Sequence, residues 1–460
     1  MFDKIRALNQ MRLKADSTAP AHGPRLNLQQ VRHYTGILAA CAFAFFAWLS
    51  TTGANIALGV FLLVFILSPA AWLAARRDPL MWLFVIVAGY VALRTFVAIE
   101  EFPETRAQQL KDARNWLKLF AVLPMAWWLR GNLVRINLVM ILAVSGLLLG
   151  MLAYVDWAAL LHGQVTHRTG FKLSIIFSGL VSGTVLLGLL VFAPRIWAAG
   201  GRPLFRYLRI GCWFLCLYLS AYMLISSLSR GAWLATALAM LLVLFARSGF
   251  LRRPAEAPAV KALPWALLIL GSLSVVLVLN NGKIQSRLQR EGDVVASLLK
   301  GDIDNLPRTS MSYRIHLKRF GLKKWTERPF LGWGTGSTRE VIRTSNNRDL
   351  QVVRKSRGET RLLWMSHLHD TYLEVLLRFG AVGGLLFAFG TLLILRTLSL
   401  AHRSGALPQD YWLFSIGSFG LLAIWSLFDF RALHGDWRAY WVILAGIAYS
   451  FRFARQEAPA

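Results

Sequence analysis

With 460 residues, 56% of them hydrophobic, and a mean hydropathy of +0.49, the chain is far more apolar than an ordinary soluble domain. Charged residues make up only 16%, against about 25% in typical globular proteins. The net charge of +28 invites a nucleic-acid reading, but the basic residues sit mostly in short segments between apolar runs, where membrane topology explains them. Cys41, Cys212 and Cys216 all fall inside apolar runs, which excludes a disulfide framework and leaves them as packing residues.

Repeated apolar runs of roughly 18 or more residues predict an all-α polytopic membrane protein. The first run, 34–51, is followed by no small-residue cleavage site and reads as a retained span. Further spans are predicted at 55–75, 79–97, 113–129, 133–155, 173–194, 207–227, 231–246, 263–280, 372–396, 411–430 and 439–453, making twelve. The chain then divides into an N-terminal segment (1–33), nine spans within 34–280, a long basic and partly helical loop (281–371), three spans within 372–453, and a tail (454–460).

Orientation follows from Lys and Arg. With both termini cytoplasmic, the inner segments carry 22 such residues and the short outer loops carry seven, as the positive-inside rule requires. Residues 281–368 break the pattern, holding 18 Lys/Arg against eight Asp/Glu on the outer side. Long loops translocate regardless of charge, so topology leaves this excess unexplained. A site for an anionic substrate accounts for it better than a merely solvated surface. Within the loop, Thr309 to Glu327 reads as a helix with Arg314 and Lys318 on one face, stopped by the turn that holds Pro329, Gly332, Gly334 and Gly336. The glycine spacing is not that of a P-loop.

Cations near the outer ends of spans are the next candidates. Ser227-Leu228-Ser229-Arg230 opens the eighth span, and an arginine fork there is suited to phosphate, although interfacial snorkelling would also place one. Arg94, Arg114 and Lys118 are expected at the same depth as binders of anionic lipid or substrate, with Arg114 and Lys118 one turn apart. Arg378 has a plain partner in Glu374, four residues earlier.

The loop re-enters the bilayer through Ser366-His367-Leu368-His369-Asp370-Thr371-Tyr372. Asp370 is a good N-cap, which sets His369 just before a helix. The helix dipole and the basic loop disfavour imidazolium there, while the Asp370 carboxylate opposes them. In an extended segment both rings would share a side, and in a helix they would diverge. Either histidine could be the base, the other serving the structure. Asp302 and Asp304 are a candidate metal pair, but Gly301 and Asn305 flank them as in a plain turn, and no metal or other cofactor is expected.

Taken together, Ser-Arg-Gly at the start of a span, Arg314, Pro-x-x-Gly-x-Gly-x-Gly from Pro329 to Gly336, and His-x-His-Asp-x-Tyr-Leu followed by Glu374, Arg378, Gly380 and Gly383 resemble the bacterial O-antigen ligase family. The resemblance is specific over residues 225–385 and departs from the family at Asp370, where Asn is usual. It implies an inner-membrane enzyme that transfers O-antigen polysaccharide from undecaprenyl diphosphate to a sugar hydroxyl of lipid A–core at the periplasmic face, with inversion and without metal or nucleotide. His369 would be the base, Arg230 and Arg314 would hold the diphosphate, and His367, Tyr372, Arg94, Arg114 and Lys118 would line the substrate site. An O-antigen polymerase or a protein O-oligosaccharyltransferase shares the donor and differs in the acceptor. A lipid-linked oligosaccharide transporter would favour charges at the midplane and repeated halves, and neither is seen in the sequence.

Overall fold

A computed structural model describes residues 28–247, 281–307, 309–357 and 365–454. All regular structure among them is helical. The expected terminal segments, apart from 28–33 and 454, and the span expected at 263–280 lie outside the described residues. In chain order the helices are α1 Leu28–Phe46, α2 Thr51–Ile66, α3 Pro69–Ala75, α4 Pro79–Glu101, α5 Arg106–Leu117, α6 Val122–Leu129, α7 Leu133–Leu152, α8 Trp157–Leu161, α9 Ile175–Ala198, α10 Pro203–Ser226, α11 Arg230–Arg247, α12 Asn281–Leu299, α13 Ser310–Glu327, α14 Ser337–Thr344, α15 Arg348–Arg357, α16 Thr371–Arg403, α17 Gln409–Trp425 and α18 Gly435–Tyr449.

Among these, α4, α7, α9, α10, α11 and α16 are each long and apolar enough to cross a membrane. The pair α2 and α3 would make a seventh crossing, bent by 82°. The uninterrupted span expected at 55–75 is therefore broken. Ser68 caps a new helix there, accepting from the backbone N–H of Ala71, and Pro69 occupies the first helical position. The expected span 113–129 is broken as well: α5 ends at Leu117, a 3-10 turn covers Lys118–Ala121, and α6 follows. Arg114 and Lys118 consequently flank a helix end instead of sharing one continuous span.

Two apolar cores result. The larger joins the spanning helices, with Trp116, Trp128, Phe177, Trp425 and Tyr449 among its largest buried side chains. The smaller lies outside the bundle, where Tyr313, Leu317 and Phe320 of α13 pack on Val341 and Ile342 of α14, Leu350 and Val353 of α15, and Leu368, Leu373 and Leu377. The expected helix in the loop is present, and Thr309 caps it by accepting from Ser312 N–H.

The joint between the cores is Gly380. Its φ of 63° and ψ of −168° break α16, because an L side chain rarely adopts that backbone. Breaking the helix frees backbone groups that cannot stay buried without partners. The glycine-rich turn takes them up: Trp333 N–H donates to Leu377 O at 2.8 Å and Gly334 N–H to Arg378 O at 2.7 Å, while Ala381 N–H donates to Pro329 O at 2.8 Å. The approach is so close that a Cβ on Gly332 would lie 2.6 Å from the backbone at 377–380. The turn is thus a backbone plug for a kinked helix.

Candidate active site

Four segments converge where α16 begins. Asp370 caps α16, accepting from Leu373 N–H at 3.0 Å, and its other oxygen pairs with Lys318 of α13 at 2.8 Å. Lys318 also donates to Leu427 O at 2.7 Å, tying α13 to the connector between α17 and α18. That connector is held to α16 by Thr371, whose N–H donates to Ser426 O and whose hydroxyl donates to Asp429 O at 2.7 Å. The first turn of α11 closes the remaining side, with Gly231 against the ring of Phe428. Arg230 is the first residue of that helix, as the sequence predicts.

Inside this frame His369 adopts φ 56°, a left-handed conformation uncommon for a side chain of its size. The two histidine rings come to a centroid distance of 4.3 Å, edge to face, and His369 N–H donates to His367 Nδ1 at 3.3 Å. Neither the extended nor the helical option holds, since the left-handed residue between loop and cap turns one ring onto the other. His369 Nδ1 lies 3.0 Å from Asp429 Oδ1. With Nδ1–H donating to that carboxylate, Nε2 is the nitrogen left to accept a proton. Burial pushes the Asp429 carboxyl up, but the hydrogen bond from His369 and the charges of His369, His367 and Arg314 outweigh it and leave it below the ordinary carboxylate value. His367 is lowered to about 3, by burial first and then by His369 and other nearby positive groups, so it stays neutral near pH 7.

Arg314 sits on α13 one residue after Tyr313, whose ring contacts His369 at 5.8 Å, and its Nε is buried without a protein partner. A buried guanidinium nitrogen with no acceptor near the His369–Asp429 pair is an opening for an anionic ligand. Tyr372 donates its hydroxyl to Ala423 O at 2.9 Å and lines an apolar groove of about 400 Å³. The groove starts at Thr371 and Tyr372, follows α16 to Ile394, and is walled by Trp116, Phe120 and Trp441.

The remaining predicted binders separate. Arg94 is buried and donates to Gly332 O at 2.6 Å, so it braces the glycine-rich turn and does not face an open surface. Arg114 is exposed, its Nε donating to Leu110 O at 3.4 Å. Lys118 lines a different cavity. Asp302 accepts from the Asn305 side chain at 3.0 Å, and Asp304 pairs with Arg319 and Arg348 at 2.7 and 3.0 Å. Those pairs bind α13 and α15 to the turn.

Sequence reasoning missed two residues, Asp429 and Asp112. Asp429 had no motif around it. Asp112 pairs with Arg378 at 2.8 Å, extending the expected Glu374–Arg378 pair of 2.6 Å into a buried triad. Glu374 also accepts from Leu368 N–H and the Thr338 hydroxyl, while Arg378 donates to Ser366 O, so the triad grips the backbone on both sides of His367. His367, His369 and Asp429 offer three ligand atoms within 4.8 Å of one another and could hold a metal ion, a cluster that inspection of Asp302 and Asp304 overlooked.

Residues 215–388 match the family model described as O-antigen ligase. The chain carries an O-antigen ligase family domain. No curated protein matches the chain. The family domain contains Arg230, all of α13, the glycine-rich turn, both histidines of the cluster and the Gly380 kink, whereas Asp429 and Asp112 lie outside it. Members of this family are membrane glycosyltransferase-like ligases.

Proposed function

We propose that this protein is an O-antigen ligase of the bacterial inner membrane, multi-pass with both termini cytoplasmic, whose site faces the periplasm. It moves O-antigen polysaccharide from undecaprenyl diphosphate to a sugar hydroxyl of lipid A–core. The observation that carries the reading is the His369–Asp429 pair beside the unpartnered Nε of Arg314, at the mouth of an apolar groove. Asp429 orients the imidazole, and His369 Nε2 takes the proton from the acceptor hydroxyl as its oxygen attacks the anomeric carbon. The anomeric carbon–oxygen bond to the diphosphate breaks on the opposite face, giving inversion, and the electron pair leaves with the diphosphate. Arg230 and Arg314 neutralise that leaving group. The groove from Thr371 to Ile394 suits the polyprenyl tail, since its walls are almost wholly apolar. Arg114 and Lys118 attract anionic lipid toward the site.

The test is incubation of purified protein with undecaprenyl-diphosphate glycan and lipid A–core, without nucleotide, with ligated product read on a gel. Product that forms only on growing glycan or on protein would instead assign polymerase or O-oligosaccharyltransferase activity. A metal-assisted reading is favoured by one observation, the His367–His369–Asp429 cluster, in which an ion would polarise the hydroxyl in place of a free imidazole. Loss of activity in chelator, restored by added metal, would select it.

A further inference from the structure

A second cavity, of about 250 Å³, is lined in part by the α17–α18 connector. Asp429 of that connector meets His369, whereas Arg431 and His434 line the cavity. Lys118, Lys172 and Arg438 complete its cationic wall. Four permanent cations thus face one space with a single carboxylate, Asp436. Asp436 is already engaged, pairing with Arg431 at 2.8 Å. Among the described residues Lys118, Lys172 and Arg438 have no ion-pair partner within 4 Å. Lys172 donates to Leu49 O and Arg438 to Leu433 O, bonds that fix the side chains without neutralising them. Lys118 meanwhile lies in the field of Arg114 and Arg438, both of its own sign.

Converging like charges in a partly enclosed space repel one another unless an anion joins them. The rest of the lining adds apolar side chains, Phe43 of α1, Ala47 just beyond it, Leu58 of α2 and Val442 of α18, beside the polar Thr51 and Asn55. Cations and hydrocarbon lining one space together describe a site for an amphiphile. We infer that this cavity binds the phosphate-bearing headgroup of a membrane lipid, with Lys118, Lys172, Arg431 and Arg438 on the phosphate and Phe43, Leu58 and Val442 against the first carbons of its chains. Under the ligase reading such a lipid is the acceptor, anchored by its phosphate two residues along the connector from the aspartate that orients the base. The binding claim itself rests on the cavity alone.

The experiment places the whole protein in zwitterionic nanodiscs and measures retention of phosphatidic acid by native mass spectrometry, with diacylglycerol and inorganic phosphate as separate arms. Phosphatidic acid should be retained, and neither of the others should be at equal concentration. Lys118→Gln combined with Arg438→Gln should weaken retention by about 10-fold or more, the loss expected for charge-assisted bonds. Arg438→Lys should retain most of it, which separates lost charge from lost folding. His369→Ala should bind as the parent does, so a failed ligase assignment leaves this result standing. Equal retention of diacylglycerol, full competition by inorganic phosphate, or unchanged binding in the double variant would each overturn the site.

Discussion

Two histidine–aspartate pairs occur in this molecule with nearly the same geometry. His316 Nδ1 lies 2.9 Å from Asp349, and His369 Nδ1 lies 3.0 Å from Asp429. The first pair is sealed in the smaller core, its side chains 1% and 2% exposed. Asp349 is also within 3.3 Å of Lys323 and 3.7 Å of Arg319, and His316 Nε2 is buried without a partner. The second pair is 19% and 8% exposed, carries a left-handed histidine backbone, and has Arg314 and an apolar groove beside it. An aspartate orients an imidazole in both places. What differs is whether a hydroxyl can reach the free nitrogen and whether a cation waits for the leaving group.

The largest effect should come from removing the accessible imidazole. His369→Gln should lower ligation by about 10²- to 10⁴-fold, the usual worth of a general base, with membrane insertion intact. His316→Gln should do the reverse: activity per folded molecule stays within about twofold, and stability falls by roughly 1–3 kcal/mol as a buried bond is lost. Ligation rates and thermal unfolding of both variants decide the comparison, and a ligation defect in His316→Gln as deep as that in His369→Gln would make the two pairs equivalent.

Next come Arg230 and Arg314, the arginines assigned to the leaving group. Arg230→Lys and Arg314→Lys keep charge but lose the planar fork, and each should cost about 10- to 150-fold in ligation rate. Lysine tolerated at Arg230 would make that residue an interfacial anchor. Asp429→Asn should cost about 10- to 100-fold, because a neutral amide holds the ring without stabilising imidazolium. Asp349→Asn should leave the rate within about twofold and appear only in the unfolding temperature.

A smaller effect concerns pH. Folded His367 titrates at about 3 and the unfolded chain at 6.5, so below 6.5 the unfolded state binds a proton that the folded state refuses. This contribution to stability is whole above pH 6.5 and is drawn down as pH falls toward 3. His367→Gln should flatten that slope in acid unfolding measurements and leave the midpoint of the acid limb of the rate profile in place. A midpoint that moves would make His367 part of the titrating unit. The smallest effect is expected from chelation. Ligation should continue in excess chelator, and Asp302→Asn with Asp304→Asn should leave rate and unfolding temperature close to the parent's, since the pairs lost face solvent.

Much of this architecture was legible one segment at a time. Apolar runs located the six described helices long and apolar enough to cross a membrane, Thr309 and Asp370 marked helix starts, and Glu374 with Arg378 matched helix periodicity, because these signals are local in sequence. Arg230 and Arg314 could be nominated from charge beside spans and loop. Breaks inside apparently uniform runs were harder to see, as at Ser68 and Leu117, where hydropathy continues although the helix does not.

Only the tertiary structure decided which distant residues meet. Asp429 stands 60 residues from His369, and Asp112 stands 266 residues from Arg378. Neither has a neighbour in sequence that would mark it. Arg94 looked like an exposed binder because span position reports depth and not which way a side chain turns, and it became a brace once Gly332 was packed against α16. The sequence by itself determined the helices, their caps and the charges available, since these follow from local periodicity and chemistry. Which histidine receives an aspartate, and which cations are left without one, was decided by how those helices pack.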